Sequence, residues 1–305
     1  MGNGRGAGAA RTQCVHRMRF DRVIMVDWSA TSGVTRPGPD TIHVAWNDGH
    51  VAWNDGGAAA VQHCATRLAA QELVAGLCLC KGRVLVGMDF AFGYPADSGL
   101  PSGRELCAMM ADRVTETQAG VSNRFAVAAQ LNRELELRGG VGPFWGRAAS
   151  VDEPDLPTRR PVTGKAEFRV VERAALARVK EWGRIQSAFK CAYPASVGSQ
   201  TLTGLACVGR LLRDERLAKR AVLWPFETRW DEAVAADAVV FAEVWPATQV
   251  ERVRADTSED YRDAKQVRAM VEWAAQARDV LARPAGLVDE DVVMREGWIL
   301  GIACD

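Results

Sequence analysis

The chain has 305 residues, is 48% hydrophobic and 25% charged, and its formal net charge is zero. That is the composition of a soluble globular protein long enough for a sizeable core. It excludes a molecule drawn as a whole to nucleic acid or membrane by net charge, and the lack of an apolar run of spanning length excludes a helical membrane segment. Locally the charge is uneven. Residues 159–220 hold 14 Lys/Arg against 5 Asp/Glu, and residues 221–305 hold 9 against 17. A basic middle beside an acidic end suits a protein that grips an anion with one part and a cation with the other; two compensating solvated faces give the same pattern. The eight cysteines show no framework spacing. Cys78-Leu79-Cys80 lacks the second pair a zinc site needs, and His63 and Cys64 sit among apolar neighbours as core residues do. Free thiols fit a reducing cytoplasm.

Residues 1–18 are rich in Gly, Ala and Arg without the apolar centre of a secretory signal. They are expected as a disordered tail before a single domain, 19–305, with Met18 as an alternative start. Val23 to Asp27 reads as a buried strand, being a continuous apolar run too short for a helix. After a Gly/Pro-rich loop, the seven residues His43 to Gly49 recur as His50 to Gly56. Asn-Asp-Gly is strong turn chemistry, so the copies are expected as the two strands of a hairpin, unless a local duplication has only lengthened a loop. A helix is expected over about 58–77, on the stripe Val61, Cys64, Leu68 and Leu73.

The run Val84 to Met88, closed by Asp89, is a second buried strand, parallel to the first through a helical crossover. The aromatic loop Phe90 to Pro95 follows. Residues 96–218 read as a large helical insertion, with helix starts at Ser102, Ser122-Asn123 and near Gln200, and a long irregular connection around the prolines of 154–161. Residues 221–228 are expected as an edge strand because Pro225 lies within them. Val239 to Glu243 is a third buried strand. A long helix is expected over about 259–282, and 295–301 as a short closing strand or docked tail.

All three buried runs end on a carboxylate: Asp27, Asp89 and Glu243. Chemistry in open α/β sheets gathers at the carboxyl ends of parallel strands. If these strands are neighbours, their acids converge, and converging carboxylates are relieved by a divalent cation. The oxygen donors suit Mg²⁺ or Mn²⁺.

Together, Val26-Asp27-Trp28-Ser29, Gly87-Met88-Asp89, Glu243-Val244-Trp245-Pro246-Ala247, Asp263-Ala264 and Glu296-Gly297-Trp298-Ile299 resemble the ribonuclease-H-like superfamily. Within it the chain looks most like the RNase-H-like nucleases grouped as a domain of unknown function (DUF429). The resemblance covers nearly everything after Met18. It implies an α/β fold with a five-stranded mixed sheet in the order 3-2-1-4-5 and helices on both faces. It also implies a metal-dependent phosphodiester hydrolase in which Asp27, Asp89 and Asp263, at the start of the last long helix, hold the metal. Glu243 would be a further catalytic acid, as a ligand or by holding a water; the competing role is an arginine-paired strand-end carboxylate. Helix-dipole complementation is the competing role for Asp263.

Nucleic acid or another phosphodiester would be the partner. Trp28, Ser29, Phe90 and Tyr94, with Trp145, lie near the expected edge, where aromatic rings can stack bases; capping the core is the competing role. Arg184 and Lys190 could contact phosphates. Two other readings stand beside the nuclease. One is a non-catalytic binding or accessory protein on the same fold, with an association to cobalamin or molybdopterin biosynthesis among similar sequences. The other is an actin-like or sugar-kinase ATPase, disfavoured because the loops after Asp27 and Asp89 are bulky where phosphate needs glycine. A Ser-His-Asp hydrolase is disfavoured because no histidine follows residue 63 and no Gly-x-Ser-x-Gly elbow occurs.

Overall fold

The computed structural model describes residues 19–47, 59–176, 185–194, 196–230, 234–258, 261–277, 279–287 and 289–303. The expected tail, the second tandem copy and Arg184 lie outside these residues. Among the described residues six strands form one mixed sheet: β1 (Arg22–Asp27), β2 (Ile42–Trp46), β3 (Ala60–Cys64), β4 (Val84–Met88), β5 (Ala221–Leu223) and β6 (Val239–Glu243). Their spatial order is β3-β2-β1-β4-β6-β5. β2 runs antiparallel to both its neighbours, while β1, β4, β6 and β5 are parallel. The expected order 3-2-1-4-5 is corrected on one side. The third carboxylate strand, β6, takes the place beside β4, and the three-residue β5, earlier in sequence, is added outside it at the edge. β5 stops at Leu223 because Pro225 has no N–H to extend the ladder.

The predicted helix over 58–77 is two elements. Ala60–Cys64 pairs with β2, and helix α1 (Arg67–Leu77) starts only after Thr66, whose side chain accepts from the Ala69 amide. The first tandem copy supplies β2, and its edges are filled by β1 and β3. Its hairpin partner is therefore residues 60–64, not the second copy.

The remaining helices are α2 (Gly103–Arg113), α3 (Arg124–Leu137), α4 (Val170–Ala175), α5 (Gly198–Arg213), α6 (Val250–Ala255), α7 (Arg262–Gln276) and α8 (Glu290–Glu296), with a 3-10 turn at Pro246–Gln249. Side chains alternate across the sheet, so each buried strand feeds two cores. Ile24, Val26, Val86, Met88 and Phe241 pack under α1, α2, α3 and α5. Val23, Met25, Leu85, Val240 and Ala242 pack under α4, α7 and α8. The stretch expected as an insertion thus supplies α2, α3 and α5 to one face and α4 to the other. α5 comes close because Gly204 has no side chain: a Cβ there would lie 2.4 Å from a ring carbon of Phe90. The C-terminal segment docks beside β6, with the Leu300 amide donating to the Glu243 carbonyl at 2.9 Å. Among the described residues no helix is long and apolar enough to cross a membrane.

Candidate functional site

Val26 stands level with Met88 on neighbouring parallel strands. Asp27 and Asp89 follow at the same height, on backbones about 4.8 Å apart, and the Asp89 amide continues the ladder to the Val26 carbonyl at 3.0 Å. Both continue the face of Met25 and Leu85, which is the face α7 covers. Asp263, in the first turn of α7, is half-buried there. Its Oδ2 accepts from the Asp40 amide at 2.7 Å. Asp40 holds a positive φ of 57°, and its loop is anchored by Ser29 Oγ, which donates to the Asp40 carbonyl at 2.6 Å. Buried Arg67 ties down the same loop by donating to the carbonyls of Ser29 (3.3 Å) and Thr31 (2.8 Å), while pairing with Glu116 at 2.9 Å.

Four carboxylates therefore act on one another: Asp27, Asp40, Asp89 and Asp263. Burial raises the Asp27 carboxyl well above its usual range, and the charges of Asp89, Asp263 and Asp40 push it further, against Arg262. Asp89 is pushed up to about 7 by burial, then by Glu243 and Asp263. Burial also raises Asp263, opposed by the Asp40 and Thr41 amides. Among the described residues none of Asp27, Asp89 and Asp263 forms a salt bridge, and no three His, Cys, Asp or Glu side chains form a group that could hold a metal ion as they stand.

Sequence reasoning missed His43. In β2 it is the register partner of Asp27 and is 3% exposed. Its Nδ1 is 3.2 Å from the Thr41 carbonyl, its ring centroid lies 5.6 Å from that of His63 and 6.4 Å from that of Tyr261, and its charge pulls the Asp263 carboxyl down. The signal was available in the alternation of β2, where residues 43 and 45 share the face of Asp27 once the register is known.

Glu243 belongs to a second group, at the end of β6. Buried Arg169 grips its carboxylate in a fork at 2.6 and 2.7 Å, and the Phe92 amide donates to Oε2 at 2.9 Å. The same guanidinium donates to Glu172 Oε1 at 2.9 and 3.1 Å. Burial still raises Glu243, although Arg169 and the Phe92 amide pull it back. Glu296 completes the arrangement, accepting from the amides of Ala96 (2.8 Å) and Val170 (2.5 Å). Of the two roles weighed for Glu243, the arginine-paired strand-end carboxylate is the one its contacts describe.

The expected substrate residues pack inward. Trp28, Phe90 and Tyr94 are 0%, 3% and 3% exposed. Trp28 Nε1 donates to Thr203 at 3.1 Å, Phe90 stacks on Phe92 at 5.3 Å, and Tyr94 stacks on Phe189 at 5.0 Å. The aromatic loop is the seat on which α5 rests, so its rings go to the core rather than to a base. Lys190 Nζ donates to the Pro194 carbonyl at 2.9 Å and lies 5.7 Å from the centre of the Trp145 ring. A pocket of about 140 Å³ opens beside Asp89, lined by Phe90, Gln186, Gln200 and Trp245.

Comparison with protein-family models, with curated proteins and with solved structures gave no match.

Proposed function

We propose that the chain is a metal-dependent phosphodiester hydrolase of the ribonuclease-H-like kind, with Asp27, Asp89 and Asp263 as the residues that would hold Mg²⁺ or Mn²⁺. The observation that carries this reading is the pair Asp27 and Asp89, side by side at the carboxyl ends of adjacent parallel strands, both raised by burial and by neighbouring carboxylates, with no salt bridge to either among the described residues. Evolved folds keep such costly groups where chemistry uses them. The donor set fits a hard divalent ion, since all three residues offer oxygen. Closing around an ion calls for side-chain rotation at the three aspartates, whose backbones are fixed by β1, β4 and α7. A bound divalent pair supplies charge neutralisation at the phosphoryl oxygens and a more acidic water.

The chain's own residues do the rest. Asp40 and Thr41 orient Asp263 through their amides. Arg67 and Ser29 hold the loop that carries them. His43, the register partner of Asp27, places an imidazole on the same face. Free cysteines, of which Cys64, Cys78, Cys107, Cys191 and Cys207 are buried, fit a reducing compartment such as the cytoplasm.

The test is a cleavage panel of single- and double-stranded DNA, RNA and hybrid with Mn²⁺, wild type beside Asp89→Asn. Cleavage lost in the variant alone supports the reading. Equal activity in both proteins overturns it. A second reading, a non-catalytic protein on the same fold, is favoured by the open spacing of the carboxylates. Calorimetry separates the two, because that protein binds no Mn²⁺ that Asp27→Asn abolishes.

A further inference from the structure

The acidic C-terminal third contains a basic cleft. It lies between α6, the first turns of α7 and the 3-10 turn that follows β6, and its volume is about 510 Å³. Pro246, Val250 and Val253 give it an apolar wall, and Arg254, Arg262 and Lys265 give it three cations. Among the described residues no carboxylate lines it. Arg262 and Lys265 are one helical turn apart on α7, so they share a face. Arg254 is partly neutralised by Glu251 at 2.7 Å. Among the described residues Arg262 and Lys265 have no salt-bridge partner, and Lys265 is felt at Asp256 only through its field. Arg262 precedes Asp263 and acts on Asp27, so the cleft adjoins the carboxylates without being part of them.

We propose that this cleft binds a nucleotide phosphate of the strand to be cut, next to the scissile bond. The ligand class follows from the lining. Two cations on one helix face, without a salt bridge among the described residues, match phosphoryl oxygens, and the apolar wall opposite suits a sugar or base edge. The choice of a strand rests on the hydrolase reading; the phosphate chemistry does not. Positive charge here also offsets the repulsion between a polyanion and the aspartates. Of the expected phosphate contacts, Lys190 donates to the Pro194 carbonyl and lies over the Trp145 ring, and Arg184 lies outside the described residues; the cations of the cleft lie in the segment whose net charge is negative.

The experiment is fluorescence anisotropy in EDTA, where nothing is cut. A labelled single-stranded oligonucleotide and labelled AMP are titrated against wild type, against Arg262→Gln/Lys265→Gln, and against Arg138→Gln/Arg159→Gln. The last removes two exposed charges that do not line the cleft. All three proteins are checked by circular dichroism for an unchanged fold. The cleft variant should bind the oligonucleotide at least about tenfold more weakly, with a salt dependence shallower by about two counterions. The control variant should match wild type. Weakening of AMP as well would assign the cleft to a single nucleotide unit. Equal losses in both variants, or no loss in the cleft variant, overturn the proposal. Because binding is read without turnover, a wild type that binds but never cleaves removes the hydrolase reading and leaves the cleft standing.

Discussion

Two acidic groups sit at the same sheet edge and have opposite fates. In one group Glu243 and Glu172 share the buried guanidinium of Arg169, with Glu296 held by backbone amides. Each of their oxygens that faces the protein has a donor, and the group ties β6 to α4 and α8. In the other group Asp27, Asp89 and Asp263 have no salt bridge among the described residues, and burial plus carboxylate repulsion drives their carboxyls up. The first group is satisfied by its donors. The second is held in place by strands and helix against its own electrostatics.

The comparison breaks most visibly at Arg169. Arg169→Met should destabilise the fold by about 3–5 kcal/mol, because it leaves two buried carboxylates without their counter-charge. Urea unfolding measures it, and a loss under about 1 kcal/mol would show that the paired group is not structural. Next comes the ion. Mn²⁺ at a hundred times its Kd should stabilise wild type by about 2.7 kcal/mol, read as a rise in Tm, and should leave Asp27→Asn/Asp89→Asn unmoved. Smaller still is the effect of removing the repulsion directly. Asp89 holds its proton more tightly in the folded state, up to about 7, than in the unfolded chain. Its contribution therefore turns against the fold as pH rises from about 4 through 7. Without metal, Asp89→Asn should be more stable than wild type by about 1–2 kcal/mol at pH 8, with the gain shrinking toward pH 4. A variant less stable than wild type at pH 8 would mean that Asp89 has a partner.

The strand positions of both groups were legible because a buried apolar run closing on an acid has few meanings. The adjacency of β1 and β4 followed from the crossover rule. β3 was not legible: Val61 and Cys64 fit a helical stripe as well as a strand, and only the open edge of β2 decides between them. Arg169 was hidden inside a basic stretch, where nothing local separates a buried fork from a solvated charge. The aromatic residues misled because nearness in sequence to the edge says nothing of which way a ring turns: the Phe90 ring lies against Gly204 of a helix remote in sequence, and Tyr94 stacks on Phe189. The usable cations were masked by their acidic surroundings, since net charge over a segment averages away two residues on one helix face.

The finest test of the division is Glu243→Gln. Glu243 lies on β6 beside Asp89, and its charge is the largest electrostatic influence on that carboxyl after burial. If Glu243 were a ligand, the amide would cost Mn²⁺ affinity tenfold or more, about 1.4 kcal/mol. If it acts only through its field, the loss should stay within about twofold, roughly 0.4 kcal/mol, because Arg169 already offsets much of that field. Calorimetry with Mn²⁺ at pH 7.5, on wild type and variant, reads the difference. The small value keeps the two groups separate in function; the large one merges them and makes Arg169 a gate on the metal site rather than a strut.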